Sequence, residues 1–518
     1  MNVTTSASSR EYPLNRYNRV YLMARRCVVI GSGLGGLSCA LVLAMNGYKV
    51  TVLEQGNQAG GCLQCFTRKG VKFETGMHFV GSAAEGEVLY KLLKYLGIES
   101  DIELQRLDPD GYEVISINGD RFPYAGGVGP FIEQMSSYFP SEKDNLANYW
   151  QCVKKVSKAS SLNSFVSSGY AVDTEYQTRS IDEVISSIIK DPLLKDVLVG
   201  SLPLYTAERG RTPFSRHAFI MDFYNRSAFR IVGGSDCIAN AIIRRIDSFG
   251  GEVLTKKRAV KIICDSTRAT GVLAEDGSLY EADVVISAIH PVRTLELVES
   301  KLIRPAFRER ISNIRNTPAV FSLYLHFKKG CVPYMNHNFY SYKNCSPWDC
   351  HKYQPGEWPA SYLYMHSCHT ADPKFAECGT VLAFMSIEEL ARWSATTIGR
   401  RGDEYMEFKA QKATALLHAL ESDFPGITSC IENYYTSTPL TYRDYTGTVD
   451  GSIYGVVQDI TAGPAGRVPH KTKIPNLLLS GQNINSHGIM GVLVGTIVTC
   501  SELLSPEKIY KQMEEASR

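Results

Sequence analysis

The stretch Val28–Gly61, "VVIGSGLGGLSCALVLAMNGYKVTVLEQGNQAGG", decides how the rest of the chain is read. Cys27–Ile30 is short and apolar, as a buried strand is. From Leu34 to Asn46, apolar Leu37, Ala40, Leu41 and Ala44 recur at helical spacing, and Gly47 is placed to end the helix as a C-cap. Val50–Leu53 predicts a second strand. Strand, helix and strand in that order are the unit of a parallel, doubly wound sheet. Gly31, Gly33 and Gly36 spell G-x-G-x-x-G between the first strand and the helix. The first permits a tight turn, the second a close approach by a pyrophosphate, and the third close packing of helix on strand. Gly35 lies in the same turn and is taken with them. The helix N-terminus behind the turn offers unpaired N–H groups to phosphate. Glu54, 18 residues after Gly36, ends the second strand where a carboxylate accepts hydrogen bonds from ribose hydroxyls. A glycine-rich turn without a ligand accounts for the glycines but leaves the acid without a role.

The bulk of the chain sets the frame. Its 518 residues are too many for a single core, so two or more domains are expected. Hydrophobic residues make up 44% and charged residues 21%, an ordinary globular balance. A net charge of +2 gives no field that points to nucleic acid. The apolar run Ile489–Cys500 is too short to span a bilayer. Fourteen cysteines are scattered without a framework, which reads as reduced and cytoplasmic. Residues 1–22 lack the apolar centre of a secretory signal. With Met23 just before the first strand, they are expected to be a disordered arm or an upstream start artefact.

Further elements follow from pattern. Val88–Leu96 and Ile181–Val199 are expected as helices, and Asn476–Ser480 as a late strand followed by a helix over Gly488–Leu504. Strands around Gly250–Ile289 carry a hairpin at Asp276–Gly277. The expected class is α/β, with a Rossmann-like dinucleotide-binding domain made of 23–95, 225–300 and 465–518. A substrate-binding α+β domain is expected from 96–224 and 301–464. Two features favour FAD over NAD as the dinucleotide. Gly60 and Gly61 follow Glu54 closely. Much later, Gly481 and Gln482 follow a strand, and Gly488 and Gly491 open a helix whose dipole could face the flavin's pyrimidine edge.

The N-terminal block, "FETGMHFVG" (Phe73–Gly81), "FRIVGGSDCIANAI" (Phe229–Ile242), "ADVVISAIHP" (Ala282–Pro291) and "LSGQNINSHGIMG" (Leu479–Gly491) resemble the phytoene desaturase, carotenoid isomerase and retinol saturase family of FAD-dependent oxidoreductases. "TPLTYRDYTGTVDGSIYG" (Thr438–Gly455) looks most like the saturase and isomerase branch. The resemblance spans nearly all of Met23–Leu504. It implies FAD as cofactor, adenine contact near Val260, and Gly233–Gly234 packed near the flavin. Two departures matter. Cys62 stands where related amine oxidases carry arginine after the glycine pair, and Gln482 stands where many relatives carry an acid.

An enzyme of this kind must hold a carbon–carbon bond of a long polyene over the flavin and handle a proton. Its site should be a long apolar slot with few polar groups. Ser201–Ile231, with bulky apolar residues interleaved with arginines, could line it. His78, Tyr442 and Tyr445 are the candidate catalytic residues, each weighed against a structural role. Glu74 and His487 are further polar candidates. Cys62-x-x-Cys65 has redox-motif spacing but lies in a loop after the glycine pair. Cys345, Cys350, His351, His366, Cys368 and His369 match no zinc-finger spacing, so no metal is expected. Arg209, Arg211, Arg216, Arg226 and Arg230 are read either as a solvated face or as a rest for anionic headgroups, giving peripheral association with a membrane.

The expected function is saturation, desaturation or isomerisation of an apolar isoprenoid, with reduction favoured. Transient docking of NAD(P)H is compatible with it, although "YAGGVGPF" (Tyr124–Phe131) lacks the spacing of a second dinucleotide turn. An FAD oxidase of amines or porphyrinogens on the same fold is the alternative. A non-catalytic prenyl-binding escort is another.

Overall fold

The computed structural model describes residues 24–159 and 174–518. The expected arm at residues 1–22 lies outside the described residues. Two large sheets organise the chain. The first has five parallel strands in the order Glu252–Leu254, Lys49–Leu53, Arg26–Ile30, Val284–Ser287 and Leu477–Leu479. Successive side chains of a strand point to opposite faces. Val29, Val52, Ile286 and Leu478 accordingly enter one core, and Val28, Leu53, Val285 and Leu479 enter another. Burial on both faces is why these strands read as unbroken apolar runs. Leu34–Met45 has ten buried residues and packs between the helices Asp236–Ser248 and Gly488–Ser501. That position explains an apolar helix with no clear polar face. Ala259–Cys264, Ala269–Ala274 and Leu279–Glu281 form a small antiparallel sheet, with the expected turn at Asp276–Gly277.

The second sheet has seven strands, in the order Ile431–Ser437, Ala319–Phe327, Cys378–Met385, Ser361–His366, Asn338–Tyr342, Glu113–Ile117 and Asp120–Tyr124. All neighbours are antiparallel except Asn338–Tyr342 and Glu113–Ile117. It too is covered on both sides. Ile115, Tyr340 and Met365 pack with helices Lys143–Ala159 and Phe214–Arg226. Phe321, Phe339 and Tyr364 pack with the helix Asp403–Asp423.

Two expectations are corrected. Ile181–Val199 is two helices, Ile181–Ile188 and Pro192–Leu198. Pro192 cannot donate into a continuing helix, and Asp191 caps the second by accepting from the amides of Leu193 and Leu194. The cysteines are not all free, because Cys331 and Cys430 form a disulfide across 99 positions. Pairing of Ala319–Phe327 with Ile431–Ser437 brings their ends together, a proximity that spacing along the chain does not reveal. No helix among the described residues is long and apolar enough to cross a membrane.

Candidate active site

The glycine turn sits at the carboxyl end of the first strand. Gly31 has φ +92°, a conformation that side chains other than glycine's resist, and its amide donates to Leu53 O at 2.9 Å. A Cβ at Gly36 would lie 2.0 Å from Gly31 O, and one at Gly35 would lie 2.6 Å from Gly481 Cα. These two glycines let the helix seat against its own turn and against the late loop. A Cβ at Gly33 would meet no atom within 4 Å, so this residue faces open space in front of the helix N-terminus. Gly33 caps that helix without a side-chain bond, which leaves the first-turn amides to a ligand. Gly60 and Gly61 close in alongside, with Gly60 bridged to Gly33.

Glu54 is buried. Its Oε2 accepts from the Ser32 amide at 3.1 Å and from the Ser32 hydroxyl, and its Oε1 accepts from Gly56 N at 2.7 Å. A carboxylate offers about four lone-pair directions, so after three bonds one remains for a ribose hydroxyl. The carboxylate therefore also ties the second strand to the turn, a role its position in the sequence did not disclose. Val260 lies at the bulge of Ala259–Cys264 and is half exposed. It follows Lys256 and Lys257, whose amides donate to Gly56 O and Glu54 O. In the late loop, Gly481 (φ +99°) precedes half-buried Gln482, and Gly488 (φ +73°) begins the helix whose N-cap, His487, makes no side-chain cap bond. A Cβ at Gly491 would sit 2.5 Å from Ser486 Cβ, so only glycine lets that loop fold onto its helix. Two open helix N-termini, a buried acid and an unfilled space before Gly33 fit an adenine dinucleotide that carries a flavin.

Between the two sheets lies a cavity with predominantly apolar walls. Cys62, Thr75–Phe79 and Ser486–Gly491 form one side. Phe219, Ile220, Phe223 and Tyr224 face it from the helix Phe214–Arg226, and Val320, Leu363, Met365 and Leu382 from the mixed sheet. His78 lines this cavity. Its Nδ1 sits 3.5 Å from Glu74 Oε2, while its Nε2 is buried and has no hydrogen-bond partner among the described residues.

Tyr442 also lines the cavity, but its hydroxyl donates to Thr75 O at 3.1 Å and meets Ser322 Oγ at 2.7 Å. Burial, with Tyr324 nearby, pushes its phenol well above the ordinary range. It is a fastener for the loop that carries His78. Tyr445 is corrected: it is 55% exposed and no part of the cavity wall. On the helix Pro439–Thr446 the buried residues are Pro439 and Leu440, and Tyr445, five positions after Leu440, is turned about 140° away from it. Burial pushes the Cys62 thiol up to about 11 and, with Glu74 adding to it, the Cys65 thiol up to about 12. Neither cysteine is disulfide-bonded.

The five arginines do not share a face. Arg211 pairs with Asp459, and Arg226 with Asp222. Arg230 is 1% exposed and donates to His337 O at 2.9 Å. Arg209 lies over the Trp348 ring. Arg216 reaches into the cavity beside His487. This last placement was hidden in the sequence, although Arg216, Phe219, Ile220 and Phe223 recur at one-face helical spacing. The Cys/His group is dispersed as well. His366 bonds to Tyr364 and to the Met335 amide, and His369 to Glu377. Another buried acid escaped notice: Glu113 accepts from Tyr340 at 2.9 Å, and burial pushes its carboxyl up to about 8.

A dinucleotide turn on a parallel sheet, joined across an apolar cavity to a second sheet, defines a two-sheet flavoprotein. Residues 34–357 match the flavin containing amine oxidoreductase family, and the chain belongs to that family. All-trans-retinol 13,14-reductase of Rattus norvegicus is 28% identical over 94% of this chain and 86% of its own length. Phytoene desaturase (neurosporene-forming) of Cereibacter sphaeroides is 25% identical over 96% of this chain and 98% of its own. The crystal structure of an oxidoreductase from Methanosarcina mazei superposes with a TM-score of 0.62 at 17% identity, covering 92% of this chain and all of that one. The protein is an FAD-dependent oxidoreductase of the amine-oxidase fold.

Proposed function

We propose that the protein reduces a carbon–carbon double bond of a long apolar polyene or isoprenoid. The observation that carries this is the apolar cavity, which is bounded by the glycine-bearing loops and lined by His78, whose Nε2 has no hydrogen-bond partner among the described residues. Similarity to a retinol reductase and a phytoene desaturase supports the substrate class. When bound, FAD supplies the hydride chemistry. The chain's own residues do the rest. Gly31–Gly36 and Glu54 hold the dinucleotide, and the phenylalanines of Phe214–Arg226 align the polyene and exclude water. Saturation of a double bond needs a hydride at one carbon and a proton at its neighbour. His78 supplies the proton from Nε2, while Glu74 orients the ring through Nδ1. Conjugation spreads developing charge along the chain, so one positioned donor suffices.

The reading divides the chain into a dinucleotide domain around the parallel sheet and a substrate domain around the mixed sheet. Transiently docked NAD(P)H is the proposed reductant, in keeping with the single dinucleotide turn. Association with a membrane surface follows from where such a substrate dissolves rather than from a basic face.

The test is anaerobic. Chemically reduced holoenzyme is mixed with retinoids and carotenes in detergent, and reoxidation is followed by flavin absorbance. Reoxidation by a polyene is the expected result. If no polyene reoxidises it and amines instead reduce the oxidised enzyme, the reading fails in favour of an amine oxidase.

A further inference from the structure

Arg216 is a charged residue in a cavity that otherwise suits hydrocarbon. It stands in the first turn of Phe214–Arg226, and Phe219, Ile220 and Phe223 follow on the same lining. From Arg216 to Phe223 the helix rises about 10 Å. One helix thus presents a cation at one end and an apolar strip along the rest. The guanidinium donates through Nη1 to Ser486 Oγ at 3.0 Å and through Nη2 to the His487 ring. His487 Nε2 lies 3.1 Å from Leu204 O, which fixes the proton on Nε2 and leaves Nδ1 to accept from Arg216. Tyr454 stacks on the same imidazole, with centroids 4.1 Å apart.

None of these partners carries negative charge. Burial, together with Arg216, drives the His487 pKa well below its ordinary value, so the ring is neutral. Burial pushes the Tyr454 phenol up, so it too is neutral. Among the described residues no carboxylate pairs with Arg216, whereas neighbouring Arg211 pairs with Glu208 and Asp459 and Arg226 with Asp222. Burial lowers the Arg216 pKa to about 10, which leaves it protonated near neutrality but poorly compensated. A guanidinium has about five N–H donors, and the contacts above use two. A desolvated cation with spare donors at the end of an apolar strip matches an amphipathic ligand with a planar anionic head.

We propose that Arg216 is the headgroup anchor of the cavity and selects polyenes that end in a carboxylate over the corresponding neutral molecules. This deepens the reading of the cavity as a polyene slot and rests on it. The carboxylate forms the ion pair that the chain leaves unmade, and the hydrocarbon lies along Phe219, Ile220 and Phe223. Ser486 and His487 position the guanidinium and do not neutralise it.

The test uses oxidised holoenzyme and two fluorescent probes, cis-parinarate and its methyl ester. The expected result is that wild type binds the acid about tenfold more tightly than the ester, as a charge-assisted hydrogen bond provides. Arg216→Gln abolishes that preference with ester affinity unchanged, and Arg216→Lys restores part of it. In wild type the preference also falls as pH drops through the probe's own carboxyl range, an outcome that needs no variant to fold. Equal binding of acid and ester by wild type overturns the anchor but leaves the slot standing. Binding of neither removes both. If Arg216→Gln keeps the preference and instead lowers the reduction potential of bound FAD, the arginine serves the cofactor and the proposal fails.

Discussion

The glycine turn spans six consecutive residues, Gly31–Gly36, whereas the cavity wall collects Thr75–Phe79, Phe219, Ile220, Phe223, Tyr224, Val320, Leu363 and Ile453 from across the chain. In the turn, Gly31, Gly35 and Gly36 each answer a backbone or close-packing requirement that glycine alone meets. In the wall, each position needs only an apolar group of suitable volume, which many residue types provide. The two regions should therefore respond differently to substitution. The turn should break at single atoms. The wall should tolerate change except at its few polar groups.

The sharpest test of that contrast is Gly36→Val. A Cβ there falls 2.0 Å from Gly31 O, and neither backbone can yield while the strand stays in the sheet. The variant should lose on the order of 3 kcal/mol or more and be purified without yellow colour, as read by thermal unfolding and flavin absorbance. Retention of full FAD content would break the comparison.

Next is His78→Gln. The wall should keep its shape and its FAD, but turnover should fall about 100-fold, the scale of one general acid. Stopped-flow reoxidation of reduced enzyme measures it. A parallel loss of FAD would show that His78 serves the cradle instead of the chemistry.

Glu54→Gln sits between the two regions in effect. It replaces one carboxylate oxygen with an amide that cannot accept, so the Ser32 amide or the Gly56 amide loses its partner. FAD should bind about tenfold more weakly, by titration of the apoenzyme, with turnover at saturating FAD little changed.

A smaller effect concerns Glu113 in the mixed sheet. Its folded pKa of about 8 lies above the ordinary carboxyl value because burial disfavours the charged form. The unfolded chain therefore releases this proton first as pH rises. The contribution is fully present below the ordinary value, is lost as pH climbs toward about 8, and is flat beyond. Glu113→Gln should remove that slope, so melting temperatures at pH 5 and pH 8 should differ less than in wild type. An unchanged slope would put the titrating group elsewhere.

The smallest effects are at the tyrosine pair. Tyr442→Phe should cost about 1 kcal/mol through its bond to Thr75 O. Tyr445→Phe, on an exposed side chain, should stay within about 0.5 kcal/mol and leave turnover alone. A turnover defect at Tyr445 would contradict its position outside the cavity.

How much was legible follows the same division. Leu34–Met45 and its flanking strands announced themselves, because a both-faces-buried parallel sheet needs continuous apolar strands and its turn needs glycine. The break at Asp191–Pro192 was written in a proline and a capping acid, yet the apolar spacing on both sides ran across it. Arg216 looked like one of five surface arginines. Only the docking of Phe214–Arg226 against the late loop sends it inward while Arg226 finds Asp222. The Cys331–Cys430 disulfide was likewise invisible until two strands paired.

By itself the sequence determined the strand, glycine turn, helix and strand of the N-terminal unit and the class of fold, because these rest on backbone conformation and periodicity that neighbouring residues dictate. The tertiary structure alone decided which polar groups share the cavity. That depends on helix rotation and sheet pairing over hundreds of residues. Among the described residues it left His78 Nε2 without a hydrogen-bond partner and Arg216 without a paired carboxylate, and it put Tyr445 at the surface.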